Sequence, residues 1–169
     1  MTRERPHYHQ AVPLLSVAEP TSYYMNALML KSWTGTCLAP AASSAPRAGA
    51  VLSLRPCNQY AQEQQWTTYD GPRSQDMRLA LESTFSSEST LCLTAQGAAA
   101  NSVVLLPCNS TRGLHNTWLL DESNRLRPGH APSMCLTAVA FVGSSRAVLG
   151  LYLCSGSRTQ VWKPMVPGE

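Results

Sequence analysis

Six cysteines are the residues of this 169-residue chain with the widest choice of chemistry: thiolate nucleophile, metal ligand or disulfide partner. They fall into three pairs, Cys37 with Cys57, Cys92 with Cys108 and Cys135 with Cys154, separated by 20, 16 and 19 residues. The paired short spacings of the C-x₂-C type that build a zinc site are absent, so no metal is expected. Six cysteines allow fifteen pairings, but the pairs recur inside a repeat, and the repeat singles out that one set of disulfides. Every cysteine is then used, which leaves no thiol for nucleophilic catalysis. No Ser-His-Asp or paired-carboxylate spacing stands out either, so neither an enzyme nor a cofactor is expected.

The repeat determines the elements that must hold those pairs. Cys37-Leu38, Cys92-Leu93 and Cys135-Leu136 are each followed, 26 to 29 residues on, by a tryptophan with Gln or Asn two places before it. These are Gln64 with Trp66, Asn116 with Trp118 and Gln160 with Trp162. Successive first cysteines lie 55 and 43 residues apart, the range in which a repeat is one supersecondary unit that needs its neighbours to bury its apolar face. Short apolar runs bounded by Gly, Pro, Ser and Asn read as strands. They fall at 27–31, 37–39, 51–55 and 65–69 in the first copy, at 77–81, 92–95, 103–106 and 117–120 in the second, and at 124–127, 135–138, 148–153 and 161–163 in the third. Twelve strands in three equivalent sets of four predict an all-β, pseudo-threefold closed barrel.

With Cys-Leu, a strand ending in Pro-Cys at Pro56-Cys57, and Gln-x-Trp in register three times, residues 25–164 resemble the ricin-B-type lectin domain, a β-trefoil. Residues 1–24 and 165–169 are expected to be tails. In such a fold Trp66, Trp118 and Trp162 converge on the threefold axis with Leu38, Leu93 and Leu136, as core and not as ligand platform. Gln64, Asn116 and Gln160 hold neighbouring loops through amide hydrogen bonds. The resemblance implies sugar binding at other positions: an Asp after Cys-Leu, an aromatic two residues before the second cysteine, and polar residues near Gln-x-Trp. A carboxylate accepts hydrogen bonds from vicinal hydroxyls and a ring stacks on the C–H face of a pyranose.

The chain departs from that pattern. Ala39, Thr94 and Thr137 occupy the Asp position, and Arg55, Leu106 and Tyr152 the aromatic one. The first copy lacks acceptor and ring, and the second presents Leu106 where stacking would occur. The third keeps Tyr152 as a platform, Thr137 as a neutral acceptor, and Thr159 with Gln160 facing them. Tyr152 either stacks on sugar or packs on its own hairpin. Arg55, Arg146 and Arg158 would suit a sulfated or sialylated glycan through paired hydrogen bonds, or are ordinary solvated charges. Asn124-Arg125-Leu126, Met134-Cys135-Leu136 and Leu149 to Cys154 also look like the cysteine-rich domain of the mannose receptor family, which implies acidic glycans as a ligand class.

Two functions follow from the resemblance. One is a lectin module with at most one working site, in the third copy, for galactose-type or acidic glycans of glycoproteins or glycolipids. The other is a degenerate trefoil that docks to a larger parent chain or partner subunit, as in the targeting subunits of toxins.

Composition agrees with one globular domain: 44% hydrophobic and 14% charged residues suffice for a core. A net charge of +3 with scattered cations argues against nucleic acid. No stretch reaches the roughly 20 apolar residues of a membrane span. His7 and His9 around Tyr8 are expected in a frayed tail rather than at a metal. Three disulfides place the protein in an oxidising compartment, secreted or on the cell exterior. Asn109-Ser110-Thr111 is a glycosylation acceptor sequence, which agrees with that location. Met1 to Glu19 has no apolar core of signal-peptide length, so a leader outside this segment, or a domain excised from a longer chain, is expected.

Overall fold

The structure, a computed structural model, describes residues 28–41, 45–70, 75–84, 89–97, 103–109, 113–140 and 147–168. Residues 1–24, His7 and His9, Ser110 and Thr111 of the acceptor sequence, and Arg146 lie outside the described residues. Twelve strands follow in chain order: β1 Met29–Ser32, β2 Thr36–Pro40, β3 Leu52–Pro56, β4 Trp66–Asp70, β5 Met77–Leu81, β6 Leu91–Ala95, β7 Val103–Pro107, β8 Trp118–Leu120, β9 Leu126–Pro128, β10 Met134–Ala140, β11 Ala147–Leu153 and β12 Trp162–Met165. The chain is an all-β trefoil, and among the described residues no helix is long and apolar enough to cross a membrane.

Six strands form the barrel. The pairs β1–β12, β4–β5, β5–β8 and β8–β9 are antiparallel. β1 meets β4 through reciprocal Leu28 and Trp66 amide bonds of 2.8 Å, and the ring closes where the Trp162 amide donates to the Asn124 carbonyl at 2.8 Å. Closure removes the open edges that invite aggregation. The other six strands pair as hairpins, β2–β3, β6–β7 and β10–β11, which converge on one another at one end.

Each disulfide closes the mouth of one hairpin: Cys37–Cys57, Cys92–Cys108 and Cys135–Cys154, with Cα atoms 5.0, 4.9 and 5.0 Å apart. This is the set the repeat singled out. The Cys-Leu and Gln-x-Trp elements recur together because one bonds the other. The indole N–H of Trp66 donates to the Leu38 carbonyl (3.3 Å), that of Trp118 to Leu93 (2.9 Å) and that of Trp162 to Leu136 (2.8 Å). All six side chains are fully buried, so the indoles sit in the apolar centre with their only polar atom satisfied.

β9 begins two residues later than its sequence pattern predicts. β9 starts at Leu126 and not at Asn124, because Asn124 adopts φ 57° in a turn built on Asp121. The Asp121 carboxylate accepts the Ser123 and Arg125 amides, both at 3.0 Å, and an Asx turn of this kind competes with strand pairing.

Candidate functional site

The third hairpin positions the predicted site. In the β10–β11 register Cys135 faces Tyr152 and Thr137 faces Gly150, so Tyr152 and Thr137 lie on one face of the ladder. Tyr152 is 40% exposed and its hydroxyl makes no hydrogen bond among the described residues. Beside it the 3₁₀ turn Arg158–Gln160 supplies Thr159, half-buried, whose hydroxyl shares a 2.8 Å bond with Ser157. Ser157 also accepts the Thr159 amide at 3.3 Å, which caps the turn.

Thr137 and Gln160 are buried. Thr137 is 5% exposed; its hydroxyl donates to the Cys135 carbonyl at 2.9 Å and accepts from Gln160 Nε2 at 3.1 Å. Gln160 is 2% exposed, donates to the Leu153 carbonyl as well and accepts the Ser155 amide at 2.7 Å. The two residues tie the Cys-Leu strand to the 3₁₀ turn.

The equivalent places in the other copies are occupied. In the first copy Ala39 is fully buried, and Arg55 at the ring position lies 4.0 Å from Glu63, the residue before Gln-x-Trp. In the second, Thr94 bonds the Cys92 carbonyl at 3.0 Å and Leu106 is half-buried. His115, which precedes Asn116-Thr117-Trp118, donates from Nδ1 to the Ala95 carbonyl at 2.8 Å and stacks on His130 with centroids 4.1 Å apart. Burial lowers the His130 pKa below the ordinary histidine value, and the charge of His115 lowers it further.

The amides of the repeat are not equivalent. Gln64 accepts the Asn58 amide at 2.8 Å and donates to the Pro56 carbonyl at 2.9 Å, as Gln160 does in its own copy. Asn116, one methylene shorter, donates to the Cys108 carbonyl at 2.8 Å, and its buried Oδ1 meets no donor among the described residues.

Sequence reasoning singled out Arg158 but missed its neighbour. The guanidinium carbon of Arg158 lies 4.8 Å from the centroid of Trp33, the fourth tryptophan and the one outside the Gln-x-Trp set. Trp33 is 41% exposed where the other three are fully buried. Its place outside the repeat was the available signal.

A model of the ricin-type beta-trefoil lectin domain matches residues 27–162. No curated protein matches the chain. Among solved structures it is similar to the designed three-fold symmetric protein ThreeFoil, at 18% identity over 82% of this chain and 97% of that one, with TM-score 0.67. It is also similar to a chain of the Haemophilus ducreyi cytolethal distending toxin, at 17% identity over 96% and 91% of the two chains, with TM-score 0.64. A third similar structure is a non-toxic homologue of type II RIPs from Momordica charantia (bitter gourd), in complex with alpha-methyl-D-galactoside. There the identity is 23% over 86% of this chain and 49% of that one, with TM-score 0.64.

Proposed function

The chain belongs to the ricin-type β-trefoil lectin domain family, whose domains are carbohydrate-binding modules, and we propose from that premise that its working sugar site is the third repeat. The observation that carries this reading is Tyr152, an exposed ring with an unengaged hydroxyl at the stacking position of a disulfide-braced hairpin. In the proposal a pyranose lies on Tyr152, its hydroxyls meet Thr159, and Thr137 with Gln160 hold both sides in place from beneath. With no carboxylate as acceptor the site is weaker, by about fivefold for each charged bond exchanged for a neutral one. The ligand class is a galactose-type or acidic glycan of a glycoprotein or glycolipid, and the Momordica charantia complex supports the galactose arm. The three disulfides are compatible with an extracellular location, and secretion with glycosylation at the exposed Asn109 completes the reading.

A second reading rests on the occupied sites of the first two copies: the domain docks to a partner subunit or to the rest of a longer chain and has lost sugar recognition. The likeness to a toxin chain favours it at the level of fold. A glycan array probed with the oxidised protein and with Tyr152→Ala separates the two. Signals that vanish in Tyr152→Ala, with the melting temperature unchanged to within a few degrees, support the lectin. Silence across sulfated, sialylated and galactose-terminated glycans supports docking instead.

A further inference from the structure

The first and last strands pair in an arrangement that costs energy. β1 and β12 put Lys31 directly opposite Lys163, and like charges at facing positions of an antiparallel ladder repel. The row continues through Cys37 on β2 to Arg55 on β3, where Glu63 supplies a counter-charge. No carboxylate among the described residues pairs with Lys31, Lys163 or Arg158.

Lys31 and Lys163 border an open cleft of about 400 Å³ that Trp33, Thr34 and Val161 also line, a volume in the range of small-molecule sites, and Arg158 lies next to it over the Trp33 ring. Its wall is rigid. Ser32, Thr34 and Thr36 form a triangle of hydroxyl hydrogen bonds of 2.8, 3.0 and 2.9 Å under the β1–β2 turn. Gly35 takes φ 84° in that turn, a conformation that a Cβ would strain, and its amide donates to the Ser32 carbonyl at 3.0 Å. The turn carries Trp33 at the surface, where the Arg158 guanidinium carbon lies 4.8 Å from the ring centroid, within cation–π range.

We infer that this cavity is an anionic subsite, in which Lys31, Lys163 and Arg158 take the sulfate or carboxylate substituent of a sugar whose ring lies along Trp33. The choice of a sugar rests on the family-level carbohydrate binding above; the site itself is independent of Tyr152. The 3₁₀ turn Arg158–Gln160 serves both places, with Thr159 at the third-repeat site and Arg158 at this one.

Trp33 supplies its own readout, since its exposed side chain is distinct from the three buried indoles. Galactose-6-sulfate and galactose are titrated into the oxidised full chain, its Lys31→Gln/Lys163→Gln variant and Tyr152→Ala, following the indole resonances. Galactose-6-sulfate is expected to move the Trp33 signal at concentrations where galactose does not, with affinity lower by about tenfold or more in the double lysine variant. Sodium chloride should weaken binding by screening, and Tyr152→Ala should leave the Trp33 response intact. An equal response to both sugars, an unchanged affinity in the lysine variant, or reproduction of the shift by sodium sulfate at the same concentration overturns the inference. So does binding to phosphatidylserine vesicles with no response to galactose-6-sulfate, which would assign the cations to a lipid headgroup. A Trp33 response that persists while Tyr152→Ala changes no sugar binding anywhere would overturn the third-repeat site and leave this one standing.

Discussion

Asn116 shows how far one methylene reaches. Gln64 and Gln160 each bridge a backbone carbonyl and a backbone amide just past the second cysteine, whereas among the described residues Asn116 reaches a carbonyl alone and buries Oδ1 without a donor. A buried polar atom left unpaired costs on the order of 1 kcal/mol or more. Asn116→Gln is therefore expected to stabilise the domain by about 1 kcal/mol, read as a rise of roughly 2 to 4 °C in melting temperature. A fall in melting temperature would mean that the added volume outweighs the recovered bond. The Asn in place of Gln is plain in the sequence. Its missing partner becomes visible only when the loop it braces is in place.

At the scale of elements, the second repeat meets the loop between β9 and β10 through stacked histidines. Both ring nitrogens of His130 are buried without a hydrogen-bond partner among the described residues, so the folded chain resists its protonation. Above the ordinary histidine pKa of about 6.5 neither folded nor unfolded chain carries that proton, and stability is on its plateau. As pH falls below that value the unfolded chain takes up the proton first, and stability drops until the lowered folded pKa is passed. Thermal melts from pH 8 to pH 5 should show this loss, and His130→Phe, which keeps a ring against His115, should remove most of it. An identical pH profile in the variant would place the acid sensitivity elsewhere. Asp121 acts in a lower window. Burial raises its pKa, but the Arg125 and Ser123 amides and the Arg127 side chain outweigh that and hold it below the usual value. Its contribution is present above about pH 4 and lost as pH falls through the folded pKa.

The whole molecule depends on three braces and one closure. Each disulfide closes a loop of 16 to 20 residues, worth about 3 kcal/mol in the chain-entropy model, so the three together match the net stability of an ordinary domain. Reduction is expected to lower the melting temperature by roughly 20 to 30 °C, measured by calorimetry with and without dithiothreitol. A loss of only a few degrees would show that the barrel and the indole-to-carbonyl bonds hold the hairpins unaided.

Cysteine pairs, Cys-Leu steps and Gln-x-Trp segments recur at regular intervals along the chain, so the sequence alone determined the disulfides, the twelve strands, the buried tryptophans and the family resemblance. Those features arise within a repeat, where partners lie a few tens of residues apart and spacing carries the information. What the tertiary structure decided is which side chains reach water and which distant ones meet. Thr137 and Gln160, polar in the sequence, are buried and bonded to each other. Lys31 and Lys163 sit at opposite ends of the chain and face each other because barrel closure pairs its first strand with its last. Pairing between strands so far apart is set by the geometry of closing the barrel, which no local pattern encodes.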